Sequence, residues 1–124
     1  MQRLATCNCG QLGAACRGEP VRISICHCLN CKRRTGSAIA WNASFPTHAV
    51  ATVGEHHTYA RPTESGRTNI YHFCPRCGST VFYHVEMRPG TISIPAGAFA
   101  DAAFSGPVVE LYEERRVAWC SLDL

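Results

Sequence analysis

Short β-branched and aromatic runs recur along the chain, separated by turn-forming residues. They are Val21-Arg22-Ile23-Ser24-Ile25, Ala38 to Phe45, Thr68 to Phe73, Thr80 to Val85, Thr91 to Ile94 and Val108 to Tyr112. Each has the length and punctuation of a strand. Helical patterning is sparse: only Leu29 to Thr35, Pro46 to Val50 and Gly97 to Phe104 have room for a turn or two, and Gly or Pro limits all three. The expected class is therefore mostly β. Sheets of such short strands need their edges covered or pinned.

With 46% hydrophobic and 17% charged positions, the composition is that of an ordinary globular protein. Splitting 124 residues would leave halves too small to bury a core unaided, so one domain covering residues 1–124 is expected. No repeat, low-complexity tract or linker interrupts it. The segment Met1-Gln2-Arg3-Leu4-Ala5-Thr6-Cys7 lacks the apolar stretch of a secretory signal, and no apolar run approaches membrane-spanning length. A cytoplasmic protein with no membrane partner is expected. In that reducing compartment, clustered cysteines serve metal binding or redox chemistry more often than structural disulfides.

Nine cysteines are present, and seven fall into clusters: Cys7-x-Cys9-Gly10, Cys26-His27-Cys28-Leu29-Asn30-Cys31 and Cys74-Pro75-Arg76-Cys77-Gly78. Structural zinc takes four ligands in a tetrahedron, whereas catalytic zinc keeps three and leaves one position open. Clusters of two, three and two thus suggest that the pairs Cys7/Cys9 and Cys74/Cys77 close one site and that the triplet forms another. In the Cys74 turn, Gly78 can take the positive φ needed just after the second ligand. A redox Cys-x-x-Cys would open a helix in a βαβ unit, but this one lies between strand-like runs. The triplet also admits a second closed site, with Cys16, Cys120, His27, His72 or His84 as fourth ligand. Cys16 and Cys120 otherwise read as core residues.

The formal charge of +3 counts every cysteine as a neutral thiol. Two zinc ions and seven thiolates would bring it to zero, because a ligating cysteine must be deprotonated. The apparent basicity is therefore no sign of nucleic acid, and Arg and Lys are dispersed apart from Lys32, Arg33 and Arg34.

Taken together, Cys-x-Cys-Gly, then Cys-His-Cys-x-x-Cys followed by basic residues and Thr35-Gly36, then Phe73-Cys74-x-x-Cys77-Gly78-Ser79, form a known pattern. From Cys7 to about Trp119 the chain resembles the glutathione-dependent formaldehyde-activating family, also called the centromere-protein-V/GFA domain. The resemblance implies a zinc-stabilised β-tent, similar to methionine-R-sulfoxide reductases and Rab-release factors. It implies two zinc ions: a structural one on Cys7, Cys9, Cys74 and Cys77, and a catalytic one on Cys26, Cys28 and Cys31. It further implies a carbon-sulfur lyase activity that adds a thiol such as glutathione to formaldehyde or a related small aldehyde. One departure is visible: similar proteins often carry a histidine before the paired hydrophobics of the C-terminal strand, and this chain reads Glu110-Leu111-Tyr112.

A three-thiolate zinc is a weak Lewis acid toward water but well suited to deprotonating an incoming thiol. Such a site carries a net negative charge that grows when the thiolate binds, so cationic groups must offset it. Lys32, Arg33 and Arg34 follow the third ligand and are the candidate substrate-binding residues, with Trp41 and Asn42 (and Phe45 beside them) as candidate walls. The same residues also read as a solvated charged face and as core. His27 is placed either to shuttle a proton or to orient the metal loop. His48, His56 and His57 receive no role. The rival to an enzyme is a non-catalytic, zinc-stapled binding module for a protein partner, which an exposed apolar patch without an open metal position would favour. Oligomeric state, a homo-oligomer included, stays open at this stage.

Overall fold

The structure, a computed structural model, describes residues 1–107 and 109–122. In chain order the strands are β1 (Gln2–Thr6), β2 (Gly13–Arg17), β3 (Arg22–Cys26), β4 (Ala40–Pro46), β5 (Val50–Val53), β6 (His57–Pro62), β7 (Thr68–Phe73), β8 (Thr80–Val85), β9 (Thr91–Pro95) and β10 (Val109–Leu111). One α-helix among the described residues, α1 (Leu29–Thr35), follows β3. The expected runs match β3, β4 and β7 to β10 to within two residues, except that Val108 lies outside the described residues. Leu29 to Thr35 is helical as expected, while the other two helical expectations shrink to 3-10 turns at Thr47–Ala49 and Ala96–Phe99.

Strands β1, β2 and β5 form a three-stranded sheet, and the other seven form a second sheet in the order β10-β3-β4-β9-β8-β7-β6. All neighbours are antiparallel except β10 with β3. The mostly β class expected is observed, and the strands divide into two sheets.

Side chains alternate across a strand, so register decides what each face presents. On one face of the large sheet Ile23 pairs with Ala43, Ala43 with Ile94, and Phe45 with Ile92. These residues join Leu12, Ala14 and Cys16 of the small sheet and Phe99 and Phe104 in one core. Phe45 is completely buried there, which contributes roughly 2–3 kcal/mol.

The opposite face carries a different row. Tyr59 pairs with Tyr71, Tyr71 with Tyr83, Tyr83 with Ser93, Ser93 with Ser44, and Ser44 with Arg22. Six strands thereby line up three tyrosines, two serines and an arginine on one side. Buried Ser24 and Asn42, paired with each other, lie on the same face. Helix α1 packs over this side, since Arg34 stands above the rings of Tyr71 and Tyr83 at 5.3 and 5.1 Å.

Candidate metal centres and the adjoining cavity

The two cysteine pairs meet because two hairpin turns from different sheets converge. Cys7 and Cys9 occupy the β1–β2 turn, and Cys74 and Cys77 the β7–β8 turn. The Sγ of Cys9 lies 3.6 Å from that of Cys7 and 3.7 Å from that of Cys74. Four sulfurs bound tetrahedrally at about 2.3 Å sit about 3.8 Å apart, so these spacings fit a metal tetrahedron and are far too long for a disulfide. Gly10 and Gly78 take φ of 87° and 81°, as the knuckle turns require.

Backbone and side-chain donors support the sulfurs. Leu12 N–H donates to Cys7 Sγ at 3.3 Å, Arg76 N–H to Cys74 Sγ at 3.3 Å, and the Gln11 amide to Cys74 Sγ at 3.0 Å. The Ser79 hydroxyl and N–H hold Cys77 down to about 5. Gln11 also donates to the carbonyl of Glu55 and accepts from its N–H, which straps the knuckle to the β5–β6 turn. Gly54 in that turn lies so close that an added Cβ would sit 2.0 Å from the Gln11 carbonyl oxygen.

The triplet arises locally. Cys26 ends β3, Cys28 is the N-cap of α1, where its sulfur accepts from the Cys31 N–H at 3.2 Å, and Cys31 lies in the first turn. The three Sγ atoms lie within 4.8 Å of one another, and no fourth Cys, His, Asp or Glu among the described residues joins them. Cys16 and Cys120 are buried and belong to neither group. Hydrogen bonds from Cys26 and then Cys31 hold Cys28 far below its ordinary value, whereas Cys26, then Cys28, push Cys31 far above. Crowding three thiols allows one thiolate freely and resists more until a cation arrives. A soft, all-sulfur donor set at this spacing fits a zinc-type ion in both clusters.

His27, between two of these cysteines, is fully buried. Its Nε2 lies 2.7 Å from Glu110 Oε2, and its backbone N–H donates to Leu111 O at 3.0 Å. Glu110, where the family resemblance leads to the expectation of a histidine, anchors the loop between Cys26 and Cys28 through His27. The imidazole has no solvent exposure through which to relay a proton outward. Orientation of the loop is the role this geometry supports.

Beside the triplet, between α1 and the tyrosine end of the sheet, is a cavity of about 410 Å³ lined by Asn30, Arg33, Arg34, Tyr59, Arg61, Tyr71, Phe73, Gly78 and Thr80. Of the substrate-binding candidates, Arg33 and Arg34 line it. Lys32 does not, because its ammonium donates to the Arg115 carbonyl and ties α1 to the Glu113–Arg115 turn. Trp41 points to the opposite face, edge-on to Phe104 at 5.6 Å. Asn42 is buried under the polar face and lines no part of the cavity, and Phe45 belongs to the core. Arg61, Tyr59 and Tyr71 went unnoticed in the sequence. Their strand pairing, which brings them opposite α1, leaves no local motif.

His56, His72 and His84 cluster on the other face of β7 and β8: His72 Nε2 lies 3.1 Å from His84 Nδ1, and the His56 and His72 ring centroids are 4.8 Å apart. They approach neither cysteine group closely enough to complete it.

Two packed β-sheets carry one four-thiol and one three-thiol cluster, each able to hold a metal ion. The sequence matches the glutathione-dependent formaldehyde-activating enzyme family over residues 2–115, and the chain belongs to that family. Its fold is similar to that in a crystal structure of a Rhodobacter sphaeroides protein, with 18% identity and a TM-score of 0.65, over 86% of this chain and 98% of that one. No curated protein matches the sequence. Among the described residues no helix is long and apolar enough to cross a membrane.

Proposed function

We propose that the chain is a zinc enzyme that adds a thiol of the glutathione type to formaldehyde or a similar small aldehyde. Cys7, Cys9, Cys74 and Cys77 hold a structural ion, and Cys26, Cys28 and Cys31 hold a catalytic one. The observation that carries this reading is the triplet itself: three sulfurs within 4.8 Å, no fourth protein ligand among the described residues, and an arginine-lined cavity alongside α1. The family's name supplies the thiol and the aldehyde.

Zinc, when bound, would lower the pKa of an incoming thiol so that it is a thiolate at neutral pH. The chain's own residues do the rest. The three cysteines fix the place where the thiol enters, and Cys28 as helix N-cap keeps that place rigid. Arg33 and Arg34 offset the negative charge that accumulates there. The thiolate sulfur forms a bond to the aldehyde carbon, the C=O π pair moves onto oxygen, and that oxygen takes up the proton the thiol released. The product is an S-hydroxyalkyl thioether, with nothing oxidised or reduced.

Replacing zinc with cobalt and titrating glutathione tests this directly. The sulfur-to-metal absorption bands should change as the thiol enters. A spectrum that stays constant at saturating glutathione would falsify thiol activation. NMR exchange between formaldehyde and the hydroxymethyl adduct, with and without protein, measures turnover.

A further inference from the structure

Three arginines face the cavity, and among the described residues none of them is within salt-bridge distance of a carboxylate; the two ion pairs found are Arg3 with Glu19 and His27 with Glu110. Two of the three are held in place by the same tyrosine. Arg34 stands over the neighbouring rings of Tyr71 and Tyr83, with its Nε and Nη2 buried and without a hydrogen-bond partner. Arg61 donates from Nε and Nη2 to the Tyr71 hydroxyl at 3.3 and 3.2 Å. Burial works against the charge of Arg61, but the hydrogen bond to the Tyr71 hydroxyl helps to outweigh it and its pKa is raised.

Cations assembled on aromatic faces without counter-ions are costly unless something anionic joins them. The cavity lies between them, and its floor is the tyrosine row of the sheet. Asn30 and Arg33, which flank Cys31 in α1, line this space, so a thiol peptide held at the triplet would have the cavity as its neighbour. We infer that Arg61, positioned by the Tyr71 hydroxyl and sharing that ring with Arg34, clamps a carboxylate of the thiol substrate, so that the protein selects carboxylate-bearing thiols over neutral or cationic ones. This rests on the thiol-entry reading above and adds the determinant of which thiol enters. Arg61 is a specificity residue that touches the substrate's tail, and Tyr71 is a positioning residue that acts through it.

The test is calorimetric titration of the zinc-loaded protein with glutathione, glutathione diethyl ester and S-methylglutathione, in the wild type and in Arg61→Gln, Arg61→Lys and Tyr71→Phe. Loss of a charge-assisted bond predicts glutathione binding about tenfold tighter than its ester in the wild type. Arg61→Gln should erase that preference, Arg61→Lys restore part of it, and Tyr71→Phe reduce glutathione affinity about threefold while leaving ester binding unchanged. S-methylglutathione, which keeps the tail without a free thiol, should bind the wild type more tightly than Arg61→Gln. Equal affinity of the wild type for glutathione and its ester overturns the clamp, and that comparison needs no variant to fold. Failure of the two ideas is distinguishable: cobalt bands that respond equally to glutathione and the ester sink the clamp alone. Bands that ignore both, while S-methylglutathione still binds through Arg61, sink thiol activation alone.

Discussion

The four-thiol site and the three-thiol site use the same ligand atom but depend on the chain in opposite ways. At the first, sulfurs 65 residues apart are brought to 3.7 Å by turns belonging to two different sheets. At the second, three sulfurs share a single strand-to-helix junction spanning Cys26 to Cys31. An ion at the first site closes a long loop and so stabilises the fold, whereas an ion at the second joins residues that are neighbours already and leaves one position for chemistry. On the function proposed above, this is the difference between a staple and a reaction site.

The strongest way to break this comparison is Cys74→Ser. It removes a fully buried ligand that joins the sheets, and the zinc-loaded protein should lose more than about 4 kcal/mol of stability in denaturant melts. A loss below about 1 kcal/mol would mean that this ion is no staple.

Gly54→Ala strikes the same region without touching a ligand. Its φ of 105° and the 2.0 Å approach to Gln11 leave no space for a methyl group, so the β5–β6 turn must shift and release Gln11 from Cys74. About 3 kcal/mol of destabilisation is expected from the same melts, with both metal equivalents retained.

Cys28→Ser probes the other region. Serine is a good N-cap, so α1 persists and stability should change by less than about 1 kcal/mol. Metal analysis should show one equivalent lost, and the glutathione-dependent cobalt signal should vanish. A variant that unfolds instead would make the triplet a structural site.

The smallest effect concerns pH. Burial, then the charges of His84 and His56, hold His72 down to about 4 against an ordinary 6.5. Between those values the unfolded chain binds a proton that the folded chain does not, so this contribution is complete above pH 6.5 and is lost as the pH falls toward 4. From about pH 7 to about pH 4.5 the Tm of the wild type should drop further than that of His72→Phe, which keeps the stack on Phe82. Comparing the two slopes cancels acid loss of metal, which both proteins share. Parallel slopes would exclude His72 as the cause.

The grouping of the cysteines and much of the sheet were legible in the sequence. Cysteine spacing, the Gly78 turn and the extent of α1 depend on residues within a few positions of each other, and short-range chemistry constrains them wherever the chain goes. Four strands escaped notice for definable reasons. β1 (Gln2–Thr6) is short and has only Leu4 and Ala5 as apolar residues, β2 is built mostly of Gly, Ala and Cys, which have little strand preference, and the edge strands β5 and β6 have no clean alternation because almost every residue in them is exposed. Missing β6 meant missing Arg61 and Tyr59, and with them much of the cavity.

The amino-acid order alone determined that seven sulfurs would divide four and three, and that the three would gather at one junction. Only the tertiary structure decided that Arg61 meets Tyr71 and Arg34, that Glu110 anchors His27, that Lys32 faces the Arg115 turn, and that Trp41 turns to the core. Those outcomes follow from strand register, in which a shift of one residue exchanges the two faces of a sheet. Register is set by how all ten strands bury their apolar positions together, and no single stretch of sequence contains that information.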